Sequence, residues 1–396
     1  MNFNFSTAQQ IVFGSGKLHD LPTYLPASKS RCALVTGTNA ERIKPVFELL
    51  KNAGANPAAF SISGEPTTDR INMLAQQARN LGCDYVVAFG GGSILDAGKA
   101  IAALLTNDGD LFDYIEVVGK GQPLPHPSAP WIAIPTTAGT GSEVTQNAVL
   151  KVPEQKVKVS LRHPSMLPTV ALVDPELTLT LPPELTASTG MDALTHLLEA
   201  FVSKRATPLT DALCRDGLKK ISSALKRAYL HGDDLQAREE MALASLYGGL
   251  ALANAGLGVV HGFAAAMGGE FKIAHGWICA ILLPAAYEIN IQSLQKNHPE
   301  SPALKKYQEA AALLTGRPDA TPEDGLDWID TLAVTLCIPS LEDFSITPDH
   351  FQNLIKKAQQ SNSMKGNPVQ LSSSELHEIL NIAHHSLSFG NDTLYL

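Results

Sequence analysis

Residues 241–269 read MALASLYGGLALANAGLGVVHGFAAAMGG and contain no Asp, Glu, Lys or Arg, but they include one imidazole, His261. A charge-free run of this length has to be buried, and a histidine buried with it needs a hydrogen-bond partner or a metal. Its many glycines and alanines are small, whereas a lipid-facing span is rich in Leu, Ile and Phe. No cluster of Lys or Arg flanks the run. We therefore predict one or two tightly packed helices at the centre of a domain, and no membrane span.

The length and composition indicate a globular protein of two domains. At 396 residues the chain exceeds the usual size of a single hydrophobic core. Hydrophobic residues make up 44% and charged residues 17%, a balance that disordered chains do not have. The formal net charge of −9 and the absence of any basic run exclude a protein that binds nucleic acid through its phosphates.

The cysteines and the first residues indicate the cellular compartment in which the protein is expected. The five cysteines are odd in number, widely scattered and without CxxC spacing, which favours free thiols in a reducing cytoplasm. The start, MNFNFSTAQQIVFG, has no basic region followed by an apolar segment, so we expect no secretory signal.

The first half of the chain alternates short apolar runs with longer amphipathic ones, a pattern that predicts a parallel sheet with helical crossovers. The predicted strands are 32–36, 58–62, 85–89, 131–135 and 170–174, and the predicted helices are 41–54 and 68–81. From residue 191 onward the sequence indicates helix after helix, and the pattern changes near residues 181–183. We expect an α/β domain over residues 1–182 and an all-helical domain over residues 183–396.

Two glycine-rich loops follow predicted strands. GGGSILDAGKA, residues 90–100, opens a helix with three glycines, which would let a phosphate approach the free amides at the helix N-terminus. The motif is neither GxGxxG nor GxxxxGK[ST]. PTTAGTGSEVTQNAV, residues 135–149, carries hydroxyls on Thr136, Thr137, Thr140 and Ser142 that could bind phosphate or ribose. Both loops should lie at the carboxyl edge of the sheet, where open α/β sheets bind ligands. The alternative for each loop is a structural turn.

Four ligand-type side chains lie in apolar helical segments. Asp192 and His196 are four residues apart, which places them on one face of a helix. His261 and His275 follow in apolar surroundings, and the four together could hold a divalent ion. For the first pair alone, the alternative is a solvent-facing contact. The remaining candidates are predicted to be exposed and carry no function, namely His231, His298, His350, His384 and His385, and residues 361–374 are expected to form a surface loop.

Taken in order, these segments resemble the iron-containing (group III) alcohol dehydrogenase family, part of the dehydroquinate synthase-like superfamily. The resemblance covers nearly the full chain and rests on the motifs FSTAQQIVFGSGKL, GGGSILDAGKA, PTTAGTGSEVT, VDPELTLTLPP, TGMDALTHLLEA and HGFAAAMGGEFKIAHG. It implies a Rossmann-like α/β N-terminal domain and an all-α C-terminal domain. It also implies a metal-dependent, NAD(P)-linked alcohol dehydrogenase or aldehyde reductase that acts on a small alcohol or aldehyde and forms a homodimer or larger homo-oligomer.

The resemblance also implies roles for individual residues. The metal ligands would be Asp192, His196, His261 and His275, with Fe²⁺ as the expected ion and Zn²⁺ as the alternative. Residues 90–93 would hold the pyrophosphate, Asp96 would lie near the nicotinamide side, and Lys158 near the ribose. The full set of residues expected to contact the cofactor is Gly37, Gly90, Gly91, Gly92, Ser93, Asp96, Thr136, Thr137, Ser142 and Lys158.

Two departures from the family pattern affect cofactor choice and proton transfer. Members strict for NAD often place an Asp after the first strand, where this chain has Gly37; NAD and NADP are both compatible with it, and we lean towards NADP. Many members carry a histidine four residues after the third ligand, where this chain has Ala265. A histidine relay is therefore excluded at that site, and protons would leave through water or the cofactor ribose.

The reaction implied is reversible alcohol oxidation, in which a metal acts as a Lewis acid on the alcohol oxygen and hydride passes to the nicotinamide. A pocket lined by Phe263, Trp277 and Val149 would suit a modest apolar alcohol. The alternatives are a maleylacetate reductase-type enzyme, a dehydroquinate synthase-like lyase, a metal-dependent hydrolase that leaves both glycine loops unused, and a non-catalytic binding protein that keeps the fold.

Overall fold

A computed structural model describes residues 2–26 and 31–385. Within these residues, six parallel strands form one sheet and two antiparallel strands form a separate hairpin. The sheet strands are β1 (Gln10–Phe13), β2 (Arg31–Thr36), β3 (Asn56–Ser61), β4 (Cys83–Gly90), β5 (Trp131–Pro135) and β8 (Val170–Val173), in the spatial order β3-β2-β4-β5-β8-β1. The hairpin strands are β6 (Asn147–Val152) and β7 (Val157–Arg162).

Helices cover the sheet and make up nearly all of the second half of the chain. Four lie among the strands: α1 (Ala40–Asn52), α2 (Thr68–Asn80), α3 (Gly92–Thr106) and the short α4 (Leu111–Tyr114). Up to His385, where the described part of the chain ends, nine α-helices follow the sheet: α5 (Pro183–Val202), α6 (Pro208–Leu230), α7 (Leu235–Ala255), α8 (Val259–Glu270), α9 (His275–Asn297), α10 (Pro302–Thr315), α11 (Pro322–Thr335), α12 (Pro348–Gln360) and α13 (Ser373–His385).

The predicted elements of the first half are confirmed, with ends that differ by one or two residues. On α2, Ile71, Leu74, Ala75 and Ala78 are buried on one face, as the helical period predicts. Strands β2, β4 and β5 are buried along nearly their whole length because the sheet is covered on both faces, which explains their continuous apolar sequences. The edge strand β1 and the β6–β7 hairpin were not predicted, since both are short and only partly buried.

The charge-free run forms two helices, as one of the predicted alternatives states. It comprises most of α7 and nearly all of α8, and these helices meet at an angle of 96°. Taken as a bent pair, they are long and apolar enough to cross a membrane, and so is α9 by itself. Within α9, however, 78% of the apolar window is buried inside the protein, as expected for a core helix.

The glycines of this run allow contact between the two halves of the chain. A Cβ atom on Gly249 of α7 would lie 2.6 Å from the Cα of Gly141, in the second glycine loop. Gly141 itself has a φ of +61°, which favours glycine. On α8, a Cβ on Gly269 would lie 2.5 Å from the carbonyl oxygen of Lys156. Backbone therefore packs directly on backbone where the helices meet the α/β part.

The sheet ends with β8 and the long helices begin with α5, so the change of architecture falls between Val173 and Pro183. We propose residues 1–182 and 183–396 as the two domains on this basis.

Two surface predictions near the C-terminus are wrong. His384 is only 8% exposed, because the last turn of α13 packs its ring edge-on against Phe351 of α12. Residues 361–374 are not a simple surface loop either: Asn367 is buried, and its Oδ1 accepts a hydrogen bond from the backbone N–H of Val259 at the start of α8. The segment thus satisfies a donor at a helix N-terminus.

Candidate active site

Three helices bring the four predicted metal ligands together. Asp192 and His196 lie one turn apart on α5, His261 lies in the first turn of α8, and His275 is the first residue of α9. The Oδ1 atom of Asp192 lies 3.5 Å from His196 Nε2, 3.4 Å from His261 Nε2 and 3.6 Å from His275 Nε2. The first three side chains are buried, whereas that of His275 is 40% exposed. The cluster is therefore reached by solvent from the His275 side.

Hydrogen bonds orient two of the imidazoles towards Asp192. His196 Nδ1 lies 3.2 Å from the carbonyl oxygen of Gly139; that oxygen can only accept, so Nδ1 carries the hydrogen. His261 Nδ1 lies 2.7 Å from Oε2 of Glu199, and Oε1 of the same carboxylate accepts a hydrogen bond from the backbone N–H of Val260. Both rings therefore turn Nε2 towards Asp192, in the arrangement of metal-binding histidines held by outer partners.

The Oδ1 atom of Asp192 is buried and accepts no hydrogen bond from any residue that the structure describes. Imidazole lone pairs that face a carboxylate oxygen repel it unless a cation lies between them. A carboxylate with imidazoles is a donor set that suits Fe²⁺ or Zn²⁺. The residues at this position thus fit a divalent metal.

The pKa values of the cluster agree with this arrangement. Burial lowers the pKa of His196 to about 4. Desolvation on the side of His275 that faces the cluster, together with the charges of His261 and Lys158, lowers the pKa of His275 to about 4, so both rings are neutral near pH 7. Burial also acts against a proton on His261, but Cys279, Asp192 and Glu199 raise the pKa of that ring well above 6.5. Burial works against the Asp192 carboxylate, yet the surrounding imidazoles hold its pKa below the usual value.

Two residues at the cluster were missed by the sequence analysis. Glu199 is the acidic side chain three residues after His196, in an otherwise apolar part of α5. Cys279 lies four residues after His275 on α9, and its Sγ is 3.6 Å from His261 Nε2 and 3.7 Å from His275 Nε2. The helical spacing of each residue from a candidate ligand was the signal in the sequence.

The two glycine loops lie at one edge of the sheet, which confirms their predicted proximity. Gly90 at the end of β4 is in register with Pro135 at the end of β5, and the N–H of Thr136 donates to the Gly90 carbonyl. Gly37 follows the neighbouring strand β2. Because the chain passes from β2 to β3 on one side and β4 lies on the other, this edge contains the topological switch point at which such sheets bind ligands.

The first loop fits a phosphate-bearing ligand. Helix α3 begins at Gly92, and its N-cap residue, Gly91, provides no side-chain cap, so amides of the first turn remain available to an anion. A Cβ on Gly92 would lie 2.7 Å from Cγ2 of Thr140, and a Cβ on Gly91 would lie 3.2 Å from Cγ2 of Thr137. The two loops are therefore packed together, and a side chain at either glycine would press against a threonine of the second loop.

A buried cluster holds the second loop in place. Asp96 of α3 accepts a 2.6 Å hydrogen bond from the hydroxyl of Ser142 and a 2.9 Å bond from the backbone N–H of Val149. Lys99, one turn later and fully buried, donates to Ser142 Oγ at 3.1 Å and Thr145 Oγ1 at 2.9 Å. Burial lowers the pKa of Lys99, whereas Asp96 acts in the opposite direction. Lys99 was not among the predicted residues, although a lysine inside an apolar helix is unusual.

The other predicted cofactor residues lie near the same edge or beside α8. Thr136 is buried, and Ser93 and Thr137 are half-buried on the two loops. Gly37 has open space around it: a Cβ there would meet no atom within 4 Å. Lys158 of β7 pairs with Glu65 and approaches Gly268 of α8.

We expect the stability of the protein to depend on Glu143 in the second loop. Glu143 is buried, and burial raises its pKa to about 7, against its own backbone hydrogen bond and Lys99. Because this folded-state pKa exceeds the 4.5 of the unfolded chain, the stabilising contribution of the neutral carboxyl is complete below pH 4.5 and is lost as the pH rises through 7. Relative to the wild type, Glu143→Gln should therefore gain about 3 kcal/mol in free energy of unfolding at high pH, and little at low pH.

Denaturant unfolding of both proteins across this pH window measures the difference, with Glu154→Gln on the exposed hairpin turn as a control. A stability difference that stays constant or falls with pH would contradict the assigned role of Glu143.

Comparisons with known proteins agree with the fold and assign the chain to a family. The family model described as iron-containing alcohol dehydrogenase matches residues 8–175, and that of the Fe-containing alcohol dehydrogenase family, C-terminal, matches residues 186–384. Alcohol dehydrogenase 4 of Saccharomyces cerevisiae is 34% identical over 379 residues, which are 94% of this chain and 96% of that protein. The 1,3-propanediol dehydrogenase of Klebsiella pneumoniae is 36% identical over 86% of this chain and 89% of that protein.

A solved structure extends the likeness to three dimensions. The crystal structure of a 1,3-propanediol oxidoreductase superposes with a TM-score of 0.87 at 33% sequence identity, over 97% of this chain and all of that chain. The family expectation from the motifs is confirmed, as is the expected fold of an α/β N-terminal part and a helical C-terminal part. With matches across both halves, the chain belongs to the iron-containing alcohol dehydrogenase family.

Proposed function

We propose that this protein is a metal-dependent alcohol dehydrogenase or aldehyde reductase, which transfers hydride between NAD(P) and a small alcohol or aldehyde. The observation that carries the proposal is the buried, unpartnered Oδ1 of Asp192, faced by three imidazole nitrogens at 3.4–3.6 Å. A hydrogen bond from His196 to Gly139 joins this cluster to the second glycine loop. A metal and a dinucleotide can therefore occupy adjacent positions.

In this proposal, Asp192, His196, His261 and His275 hold the metal, which supplies Lewis-acid polarisation of the alcohol oxygen. Glu199 and the Gly139 carbonyl orient two of the imidazoles. The first-turn amides of α3 bind the pyrophosphate, and the Asp96–Lys99 cluster positions the second loop beside it.

The residues around the cluster indicate the size of the substrate and the acceptor of the proton that alcohol oxidation releases. Trp277 and Val149 are partly exposed, whereas Phe263 is fully buried in the helical core and does not line an open pocket. Trp277 and Val149 therefore favour a small substrate with some apolar character. The 1,3-propanediol dehydrogenase among the relatives is named for a substrate of this size. Ala265 is exposed one turn after His261, so water rather than a histidine would receive the proton there.

The finer assignments are also proposals. The donor set accepts Fe²⁺ or Zn²⁺. The absence of an acidic side chain at Gly37 and the open space around it support NADP as well as NAD. The five free cysteines, four of them buried, support a reducing compartment such as the cytoplasm. We further propose a homodimer or larger homo-oligomer, by analogy with the family.

The decisive experiment is the oxidation of NADH and of NADPH, assayed separately with a set of small aldehydes. Metal-stripped protein is compared before and after addition of Fe²⁺ or Zn²⁺. We expect metal addition to restore turnover of at least one aldehyde. Full turnover by metal-free protein, or metal binding without turnover of any tested carbonyl substrate, would count against the proposal.

Cofactor preference is tested at Gly37. We expect Gly37→Asp to lower kcat/KM for NADPH by about 10- to 100-fold, because the new carboxylate repels the 2′-phosphate across a short distance. The value for NADH should change little, since a ribose hydroxyl can donate to the same carboxylate. Gly37→Asn is the matched control, because it has the same shape without the charge. Equal losses with both cofactors would place the adenosine ribose elsewhere.

A further inference from the structure

Cys279 lies inside the candidate metal centre but has no part in the function proposed above. It is four residues after His275 on α9, so the two side chains share one face of the helix. Its Sγ lies 3.6 Å from His261 Nε2 and 3.7 Å from His275 Nε2, and the residue has no exposed surface. The sulfur therefore occupies the same small buried volume as the imidazole nitrogens.

The distances match those between ligands of a single ion. With zinc bonds of about 2.0–2.1 Å to nitrogen or oxygen and about 2.3 Å to sulfur, tetrahedral ligand atoms lie about 3.4 Å apart for an N/O pair and about 3.6 Å for an N/S pair. Asp192 Oδ1 lies 3.4 Å from His261 Nε2 and 3.6 Å from His275 Nε2. The ligand atoms of Asp192, His261, His275 and Cys279 all lie within 4.8 Å of one another. One ion can therefore contact the sulfur as well as the carboxylate.

A second observation points to a cation rather than to a buried thiol alone. The Asp192 side chain is only 1% exposed. Its Oδ1 atom accepts no hydrogen bond from the described residues, and it faces the volume that the sulfur and the imidazole nitrogens share. A thiol has one hydrogen, so it can satisfy one of the neighbouring acceptors and leaves the others unpaired. A divalent ion at the centre satisfies the carboxylate, the imidazoles and the sulfur together.

We propose that Cys279 is a direct ligand of the metal and that its sulfur makes the site favour zinc over iron(II). The inference rests on the proposed metal site, to which it adds a fifth candidate donor; a tetrahedral ion binds four of the five. On binding, Sγ donates an electron pair to the ion, the S–H bond breaks, and the proton passes to solvent on the side of the partly exposed His275. Thiolate is a soft ligand that selects zinc, and one thiolate with one carboxylate neutralises a divalent charge in a buried site.

The test uses cobalt(II) as a spectroscopic probe in the metal-stripped, full-length protein. We expect a thiolate-to-cobalt charge-transfer band in the near ultraviolet for the wild type. Cys279→Ala should lose this band but keep the visible bands of a cobalt ion bound by the remaining ligands. Cys214→Ala is the matched control, because Cys214 is equally buried but lies on α6. Zinc affinity should fall by at least about tenfold in Cys279→Ala, and iron(II) affinity should fall less.

Each outcome decides the inference. Stoichiometric cobalt without the charge-transfer band, or with a band that survives in Cys279→Ala, overturns sulfur ligation and leaves the proposed function standing. A wild-type protein that binds no cobalt overturns both. If Cys279→Ala does not fold, X-ray absorption of the zinc-loaded wild type decides: a sulfur neighbour at about 2.3 Å supports the inference, and a shell of nitrogen and oxygen alone contradicts it.

Discussion

Asp192→Asn should reduce kcat/KM for aldehyde reduction by at least about a thousandfold. Lewis-acid catalysis contributes several kcal/mol to transition-state stabilisation, and each 1.4 kcal/mol or so is a factor of ten in rate. Three imidazole nitrogens surround Oδ1 of Asp192 at 3.4–3.6 Å, so this atom lies at the centre of the donor set. An amide has nearly the same shape but no negative charge, and we expect it to bind the metal far more weakly.

The same variant separates metal binding from folding. In the metal-free protein, the surrounding imidazoles hold the pKa of Asp192 below its usual value, so the ionised carboxylate contributes to stability and Asp192→Asn should lower the metal-free stability. Added zinc should stabilise the wild type by about 2.7 kcal/mol when its concentration is a hundred times Kd, and the variant much less. Thermal unfolding with and without metal measures both effects.

The control for this variant is Glu184→Gln, an exposed carboxylate in the first turn of the same helix. It should keep the metal-dependent rise in Tm and the full turnover. An Asp192→Asn protein that gains as much stability from zinc as the wild type would remove Asp192 from the ligand set.

The second large effect is expected at Gly249, where α7 touches the second glycine loop. A Cβ there would lie 2.6 Å from Gly141 Cα, 2.8 Å from Gly141 O and 2.8 Å from Val144 Cγ2. Two of these atoms belong to backbone, which cannot move aside without shifting the loop. We expect Gly249→Ala to destabilise the protein by about 3 kcal/mol, although alanine normally stabilises a helix relative to glycine.

The displaced loop also carries functional contacts, so the variant should bind the dinucleotide and the metal more weakly than the wild type. The loop supplies the Gly139 carbonyl that orients His196 and the Ser142 hydroxyl that bonds Asp96. Gly248→Ala is the matched control: it gains the same helix propensity, but its Cβ would meet His196 Cβ at 3.2 Å, which requires a shift of only a few tenths of an ångström. If Gly249→Ala were as stable as Gly248→Ala, the backbone contact would not be limiting.

Much of the fold could be predicted because its signals are local. The strands 131–135 and 85–89 are continuous apolar runs, and α2 displays its buried face through a 3.6-residue period. The parallel sheet followed from the alternation of strands with helices, and the shared edge of the two glycine loops followed from parallel strands. The hairpin β6–β7 escaped because its strands are only six residues long and partly buried.

The candidate site was predictable in part for a different reason. Asp192 and His196 share a helix face, so their proximity is a property of sequence spacing. The addition of His261 and His275 relied on the family resemblance and on the cost of burying an unpaired imidazole. Glu199 and Lys99 were missed because their decisive partners, His261 and Thr145, are far away in the chain. Cys279 was missed although it lies one helical turn after His275.

The sequence by itself determined the succession of helices and strands, the buried nature of residues 241–269, and the chemical types available for metal and phosphate binding. These properties depend on local spacing and on side-chain solvation. Only the tertiary structure decided which way each imidazole points, because the Gly139 carbonyl and the Glu199 carboxylate that orient His196 and His261 come from distant segments. The tertiary structure also explains why residues 241–269 are rich in glycine. Gly249 packs directly against the backbone of Gly141, and these two residues are more than 100 positions apart in the chain.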